Sequence, residues 1–408
     1  MLYTEATIRQ EKEQNRMIRA HKIRLHPTSE QATYLARAAG VARFVWNWAL
    51  AEWNRHYEAG EKPSALTLKK QFNAIRRQEF PWTWEVTKNA SDQPFLDLGK
   101  AWTAYFDGLR EGRNVGKPRF KRKKRSKPSF YLANDQLELG DHRVWIPKLG
   151  WVNLAENLRW RGKMTGARVT KTADWWFLSV TVELPDEPAD PKIPAIGIDV
   201  GLNRLVTLST GENVENQAFL KTSLKKLRRA NKRLHRRNLG SKNREKARRQ
   251  LARVHYRITC QRDDLLQKLT TQIAACYGMV AVEDLHLKGL LKNRCLARSF
   301  SDAALGKLLR LLSSKVEHQG GRVITVDRFF PSSKTCHACT WKWEDMQLSD
   351  RLFVCQNEAC AYYHVAQDRD HNAAQNLLQE VLRLVGWEDQ AVTGIGSDTD
   401  VNLAVDLM

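Results

Sequence analysis

Four cysteines fall within one short stretch as Cys336-x₂-Cys339, fifteen residues, then Cys355-x₄-Cys360, while Cys260, Cys276 and Cys295 are scattered. Clustering of this kind is thiolate usage for a metal in a reducing compartment, since disulfide frameworks belong to small secreted chains. Two knuckles at this distance have zinc-ribbon spacing, and four thiolates close a tetrahedral sphere around Zn²⁺, which makes the site structural. A hairpin so short folds only because metal binding contributes roughly 10 to 16 kcal/mol. Directly after it comes Asp368-Arg369-Asp370, so carboxylates stand against the expected zinc site.

A chain of 408 residues has room for two or three domains, each with its own core. The balance of 67 Lys and Arg against 45 Asp and Glu, a formal +22, calls for a polyanionic partner, and 14 Trp supply apolar surface that can stack on bases. Nucleic acid is therefore the expected partner. A merely solvated basic surface would leave that much self-repulsion without a use. The opening "MLYTEATIRQEKEQNRMIRA" has no apolar signal region and no stretch reaches bilayer-spanning length, so a soluble, cytoplasmic protein with no membrane partner is expected.

Residues 17–27 read as an extended segment closed by Pro27, after which Ser29 is expected to cap a helix with Leu35, Ala38, Ala42 and Val45 at helical spacing. Helix is expected to dominate as far as Leu109, with Trp46, Trp48, Trp53, Trp102 and Phe106 in its core. "GKPRFKRKKRSKPSF", residues 116–130, is too charged and too interrupted by proline for a buried strand, and the short alternating runs beyond it predict an antiparallel β unit. "PDEPADPKIP", residues 185–194, reads as a linker.

Residues 221–257 hold sixteen Lys and Arg against the single acid Glu245, with an apolar stripe running through Leu224, Leu227, Leu234, Leu251, Val254, Ile258, Leu265 and Leu269. This predicts a basic helical hairpin with one face docked and the other free for phosphates. "MVAVEDL" at 279–285 and "RVITVDRF" at 322–329 read as buried parallel strands joined by one helix, "SDAALGKLLRLLSSKVEHQG". The stretch after Arg383, with five acids and no Lys or Arg, reads as a disordered tail.

Three carboxylates then stand out by their order. Alternation along "AIGIDVG" puts Asp199 on one face with Gly197 and Gly201, away from Ile196, Ile198 and Val200. Glu283 ends a buried strand, where a charge is tolerated only beside water or a metal. Asp370 opens the last helix and, taken alone, reads as an ordinary N-cap. Together the order places Asp199 and Glu283 on adjacent parallel strands, with Asp370 closing the cluster. Such hard oxygen ligands suit Mg²⁺ or Mn²⁺ in a two-metal hydrolysis of phosphodiesters, and the whole is an RNase H-like pattern.

"GVARFVWNWAL", "GKPRFKRK", "IGIDVGL", "VAVEDL", "FFPSSKTCHAC" and "DRDHNAAQN" occur in the order found in the TnpB (OrfB) proteins of insertion sequences, and the chain resembles that family and the compact type V CRISPR effectors over most of residues 17–380. The resemblance implies a multidomain α/β chain: an RNase H-like (RuvC) nuclease with an inserted zinc ribbon, a helical recognition lobe and a β-barrel-like wedge domain. It implies a tail at 1–16, a wedge from 17–27 and 116–190, a recognition lobe at 28–115, a split RuvC domain at 191–330 and 367–385 with its basic hairpin at 221–277, a ribbon at 331–366 and an acidic tail at 386–408. The implied activity is RNA-guided cleavage of double-stranded DNA in a bacterial or archaeal cytoplasm, with a guide RNA and an RNA–DNA heteroduplex as partners. Asp199, Glu283 and Asp370 take the Mg²⁺ positions, with Asp368 as the alternative third ligand, and Cys336, Cys339, Cys355 and Cys360 the Zn²⁺ positions.

Charge and position nominate Lys70, Gln71, Lys117, Arg119, Lys121, Lys225, Arg229 and Arg233 for nucleic-acid contacts. The family pattern has Gly after the second and fourth cysteines and a Cys-x₂-Cys second knuckle; here Thr340, Ala361 and Cys-x₄-Cys replace them. A guided repressor without cleavage, or an unguided transposase or resolvase, are the alternatives. The intact carboxylate triplet speaks against the first, and the basic lobe and ribbon fit the second less well.

Overall fold

The computed structural model describes residues 16–123, 125–185, 194–347 and 349–386, so the expected linker and both expected tails lie largely outside the described residues. The chain divides into two compact units, Met1–Asp186 and Glu187–Met408.

The first unit begins with strand β1 (Arg16–His26) and helices α1 (Ser29–Glu58), α2 (Ala65–Glu79) and α3 (Asn89–Arg110). The cap of α1 falls one residue before the expected Ser29. Thr28 accepts from the Gln31 N–H while the Gln31 side chain accepts from the Thr28 N–H, a reciprocal capping box that satisfies two otherwise orphaned donors. Trp46, Trp53 and Trp102 are buried, and the rings of Trp53 and Trp102 stack with centroids 5.5 Å apart. Strands β2 (Ser129–Ala133), β3 (Glu138–Gly140), β4 (Arg143–Ile146), β5 (Gly150–Leu154), β6 (Lys163–Thr172) and β7 (Trp175–Pro185) follow. They join β1 in an antiparallel sheet of order β2-β6-β7-β1-β5-β4-β3. The N-terminal strand thus sits inside a sheet otherwise built a hundred residues later. The order leaves β2 and β3 as the two edges of the sheet expected as a β-barrel-like wedge.

The second unit opens with β8 (Ala195–Asp199), β9 (Arg204–Leu208) and β10 (Asn213–Glu215), then helices α4 (Phe219–His235) and α5 (Lys242–Cys276). Strand β11 (Met279–Glu283), helices α6 (Leu287–Leu290), α7 (Ala297–Ala303) and α8 (Leu305–His318), and strand β12 (Arg322–Val326) come next. Strands β13 (Leu352–Val354) and β14 (Ala366–Asp368) pair with each other and lead into helix α9 (Arg369–Leu384). The main sheet has the order β10-β9-β8-β11-β12, antiparallel among β10, β9 and β8, with β11 parallel to both β8 and β12. The connection expected to be one helix is broken at Ala304, whose φ of 53° separates α7 from α8.

That break positions a capping group. The carboxylate of Asp302, buried on α7, accepts from the N–H groups of Leu220 and Lys221 and from Arg262, which fixes the first turn of α4 where Ala218 supplies no side-chain cap. The basic hairpin α4–α5 is thereby anchored to the sheet it leaves. Leu227, Ile258, Leu265 and Leu269 are its buried stripe.

The sheet's two faces have different partners. Ile196, Ile198, Val280 and Val282 pack with Leu265, Leu266, Leu269 and Ile273 of α5 and Leu308, Leu312 and Val316 of α8. Met279, Ala281 and Val326 pack with Leu377 and Val381 of α9 on the other face. The approach of α9 is set by Gly197, where an added Cβ would lie 1.9 Å from the Ala374 carbonyl oxygen. Backbone cannot yield as a flexible side chain would, so Gly197→Ala should displace α9 and cost about 3 kcal/mol, the upper range for overpacking. Urea unfolding at fixed pH checks this.

Candidate metal centres

The ladder between β8 and β11 runs through Ile198 and Val282, one residue short of Asp199 and Glu283, so these two carboxylates leave neighbouring strand ends together. The Asp199 carboxyl is pushed up to about 7, first by desolvation and then by the negative charges of Asp370 and Glu283, against the weaker pull of Arg369 and the Val200 N–H. Each of those terms requires proximity, so the three groups share one field. Burial raises the Glu283 carboxyl as well, with Asp284 adding to it. Among the described residues the only compact group of metal-donor atoms is the cysteine quartet, so the carboxylates stand looser than the thiols.

Asp368 and Asp370 have separate employments. Asp368, not Asp370, is the N-cap of α9: its Oδ1 accepts from the N–H groups of Asp370 and His371, at 3.1 and 3.0 Å. Its Oδ2 lies 2.6 Å from Arg204 Nη1, and although desolvation opposes it, these N–H and guanidinium partners hold the carboxyl below its ordinary value. The N-cap role expected of Asp370 alone therefore belongs to its neighbour, and Asp370 is left facing the cluster. The Arg369 guanidinium lies beside it, with Nη2 at 2.9 Å and Nε at 3.2 Å from Oδ1.

The thiols fit zinc by geometry. All four Sγ atoms lie within 4.8 Å of one another, with Cys336–Cys360 at 3.8 Å and Cys339–Cys355 at 3.5 Å. A tetrahedron with Zn–S bonds of about 2.3 Å has edges of about 3.8 Å. Trp341, Trp343, Met346 and Phe353 pack around them as a small separate core. Burial pushes the Cys355 thiol up to about 12. For Cys339 desolvation is outweighed by the Trp341 N–H and the Asn357 side chain, which bring it down to about 7.

The departures from the family knuckle have structural answers. Thr340 stands in the left-handed region at φ 62° while its N–H donates to the Cys336 carbonyl, a conformation that glycine adopts without strain. In the longer second knuckle that conformation moves on to His364, φ 58°, whose N–H donates to the Cys355 carbonyl. Ala361 is therefore relieved of it.

The two centres are joined by residues that the sequence reading passed over. Asn372 is fully buried; its Oδ1 accepts from the His337 N–H at 3.0 Å and its Nδ2 donates to the Thr335 carbonyl at 2.7 Å. One turn on, Asn376 Nδ2 donates to the carbonyls of Ser332 and Thr335 at 2.7 and 2.6 Å. Arg369 Nη1 reaches the Asp350 carbonyl at 2.9 Å. The signal was present as two Asn at i and i+4 on the apolar face of α9, an arrangement that needs backbone partners when buried.

The nominated contacts divide. Lys70, Lys117, Arg119, Lys225, Arg229 and Arg233 are exposed. Lys121 is not available: its ammonium lies 3.7 Å from the Trp46 ring centroid, burial lowers its pKa, and its backbone is clamped by Asn47. Gln71 is partly buried and bonded to His56. Arg229 and Arg233 line a cavity of about 330 Å³ with Lys232, Arg236 and Arg237.

A mixed α/β chain with a four-thiol insertion between the last sheet strand and the last helix is the class that fold and site define. The family model described as "Cas12f1-like, TNB domain" matches residues 306–377, which include that insertion. The OrfB_IS605 model, described as "Probable transposase", matches 178–294. A "Helix-turn-helix domain" model matches 17–62, which here form β1 and the single continuous helix α1. A Streptomyces pristinaespiralis protein named "Putative RNA-guided DNA endonuclease" is 35% identical over 88% of both chains. "Putative RNA-guided DNA endonuclease InsQ" of Escherichia coli (strain K12) is 28% identical over 88% of this chain and 92% of its own. The chain belongs to the TnpB (OrfB) family. A chain in the "Cryo-EM structure of the Cas12f1-sgRNA-target DNA complex" shares the fold, with a TM-score of 0.53 at 13% identity, covering 89% of this chain and 99% of that one.

Two outcomes follow. Thr340→Gly removes left-handed strain beside Cys339, so it should slow zinc release to a chelator and add about 1 kcal/mol of stability. The sign at Asp199 runs the other way from a stabilising ion pair. Its folded value near 7 exceeds the ordinary 3.8, so the fold holds a proton the unfolded chain has lost, and stability falls as pH rises between those values. Asp199→Asn should flatten that fall, and Mg²⁺ should raise the wild-type Tm more at pH 8 than at pH 6. Differential scanning fluorimetry of both proteins, with and without Mg²⁺, reads both effects.

Proposed function

We propose that the chain is an RNA-guided DNA endonuclease whose second unit is an RNase H-like, RuvC-type nuclease with a zinc-ribbon insertion. The observation that carries this reading is the meeting of Asp199, Glu283 and Asp370, from three distant sequence segments, at one end of a sheet of order β10-β9-β8-β11-β12. Guidance by RNA and DNA as the target rest on the names of the relatives and of the Cas12f1 complex.

Asp199, Glu283 and Asp370 would hold Mg²⁺ or Mn²⁺, which when bound supply an activated water and stabilise the departing 3′ oxygen of a phosphodiester. The raised proton affinity of Asp199 and Glu283 is the cost of burying hard anionic donors close together. Arg369 balances Asp370 until then. Asp368 serves by capping α9 and holding Arg204, which keeps the first turn of that helix, and so Asp370, in place. Cys336, Cys339, Cys355 and Cys360 would hold a structural Zn²⁺.

The remaining machinery is electrostatic. The α4–α5 hairpin, with Lys225, Arg229 and Arg233 exposed, would bind RNA or heteroduplex phosphates through backbone and shape. Five cations around one cavity repel one another unless an anion lies among them. In the first unit, the helices are read as a recognition lobe and the sheet as a wedge, with Lys70, Lys117 and Arg119 as candidate contacts to target DNA beside a short flanking motif.

The test is Mg²⁺-dependent cleavage of a plasmid library with randomised flanks, using protein purified with RNA from its own locus, alongside Asp199→Ala. Cutting should need the RNA, select a flank and fall to background in the variant. RNA-dependent binding without cutting by either protein would make the chain a guided repressor. Cutting without RNA would remove guidance from the reading.

A further inference from the structure

Phe329 is 85% exposed, yet it is held by a fixed turn at the carboxylate end of the sheet. Strand β12 ends at Val326, the residue paired with Glu283, and the Val326 carbonyl accepts from the Asp284 N–H at 2.9 Å. Beyond it the Asp327 side chain accepts from the Phe329 N–H at 2.8 Å, and the Asp327 carbonyl from the Phe330 N–H at 3.0 Å. Arg328 is paired with Asp284. Phe330 packs into the core beneath α9, and Ser332 is tied to Asn376. Both sides of the turn are therefore anchored, and the Phe329 ring stands out from it. Two adjacent phenylalanines have opposite fates: one fixes the turn, the other projects from it.

A single exposed apolar side chain is ordinary on a surface. What distinguishes this one is its place, three residues after the strand position that pairs with Glu283, beside the guanidinium of Arg328. We infer that Phe329 is a base-stacking contact for the single-stranded DNA entering the carboxylate site. A strand whose phosphate reaches Asp199 and Glu283 must carry unpaired bases past the end of β12, and an aromatic face accepts any base without reading sequence. This inference rests on the nuclease reading and adds to it a residue that touches the substrate's bases.

The experiment uses full-length Asp199→Ala protein carrying its RNA, the matched target duplex and an oligo-dT strand with one 2-aminopurine. The parent should quench 2-aminopurine fluorescence on binding. Adding Phe329→Ala should abolish the quench and weaken strand binding between about 5-fold and about 160-fold, the range for loss of one base–aromatic stack. Phe329→Tyr should restore both, and zinc content should be equal in all three. Binding without quench by the parent, or equal quench by the Phe329→Ala protein, overturns the inference and leaves the nuclease reading standing. No DNA binding by the RNA-bearing parent removes that reading, and the inference with it.

Discussion

The contact between Gly197 on β8 and Ala374 on α9 is the constraint from which the rest of the second unit follows. A helix laid on a sheet normally stands off by the length of two side chains. Here one strand residue has no Cβ and the facing helix residues are Ala373 and Ala374, both fully buried, so the backbones come together. Because Asp199 lies two residues after Gly197 and Asp370 four before Ala374, the same contact brings the two carboxylates to one end. The pattern that reads as a string of motif residues is a single packing solution. Glycine permits the approach, alanines line it, and the charged residues stand where it opens to solvent.

Gathering those charges works against folding, and the local structure shows how the opposition is contained. Asp368 satisfies the open N–H groups of α9 and pairs with Arg204, while Arg369 sits against Asp370. The first turn of α9 therefore carries two acids with different duties and a compensating cation between them. A helix N-terminus favours negative charge, which lowers the cost of placing Asp370 there. For Asp199 the pull of Arg369 and the Val200 N–H is too weak to offset burial and its acidic neighbours, and its proton affinity rises accordingly. Burial raises Glu283 as well, so the opposition is greatest at the two strand ends.

How much of this could be read from the chain depended on whether the signal was local. The alternation in "AIGIDVG" fixed which face Asp199 takes, because period two leaves no choice within a strand, and the parallel pairing of β8 with β11 followed from strand order. The thiol quartet was legible because metal ligands impose spacing. What escaped depended on tertiary partners. Lys121 looked like a phosphate contact by charge, and only the fold turns it onto Trp46. Asp370 looked like a cap, but helix boundaries shift by a residue or two, and Asp368 took that role. The break at Ala304 had no sequence mark, since alanine is a poor candidate for a left-handed residue; the pull of Asp302 on the start of α4 gives the break a purpose.

The four-thiol insertion and the carboxylate end of the sheet are not independent modules. The hydrogen bonds argue that they share a part. Asn372 and Asn376 point from α9 into the segment 332–337 that starts the ribbon, while Arg369 and the β13–β14 ladder tie its return to the same helix turn that carries Asp370. The ribbon enters and leaves at α9. With Zn²⁺ held by its four thiols, the distance between those two attachments would be fixed, because a tetrahedral centre tolerates little change in its edges. Both attachments therefore meet the helix within two turns of Asp370. The placement of a four-thiol site directly against an acidic triplet is then mechanical in origin: the ribbon holds the helix, and the helix holds the carboxylate.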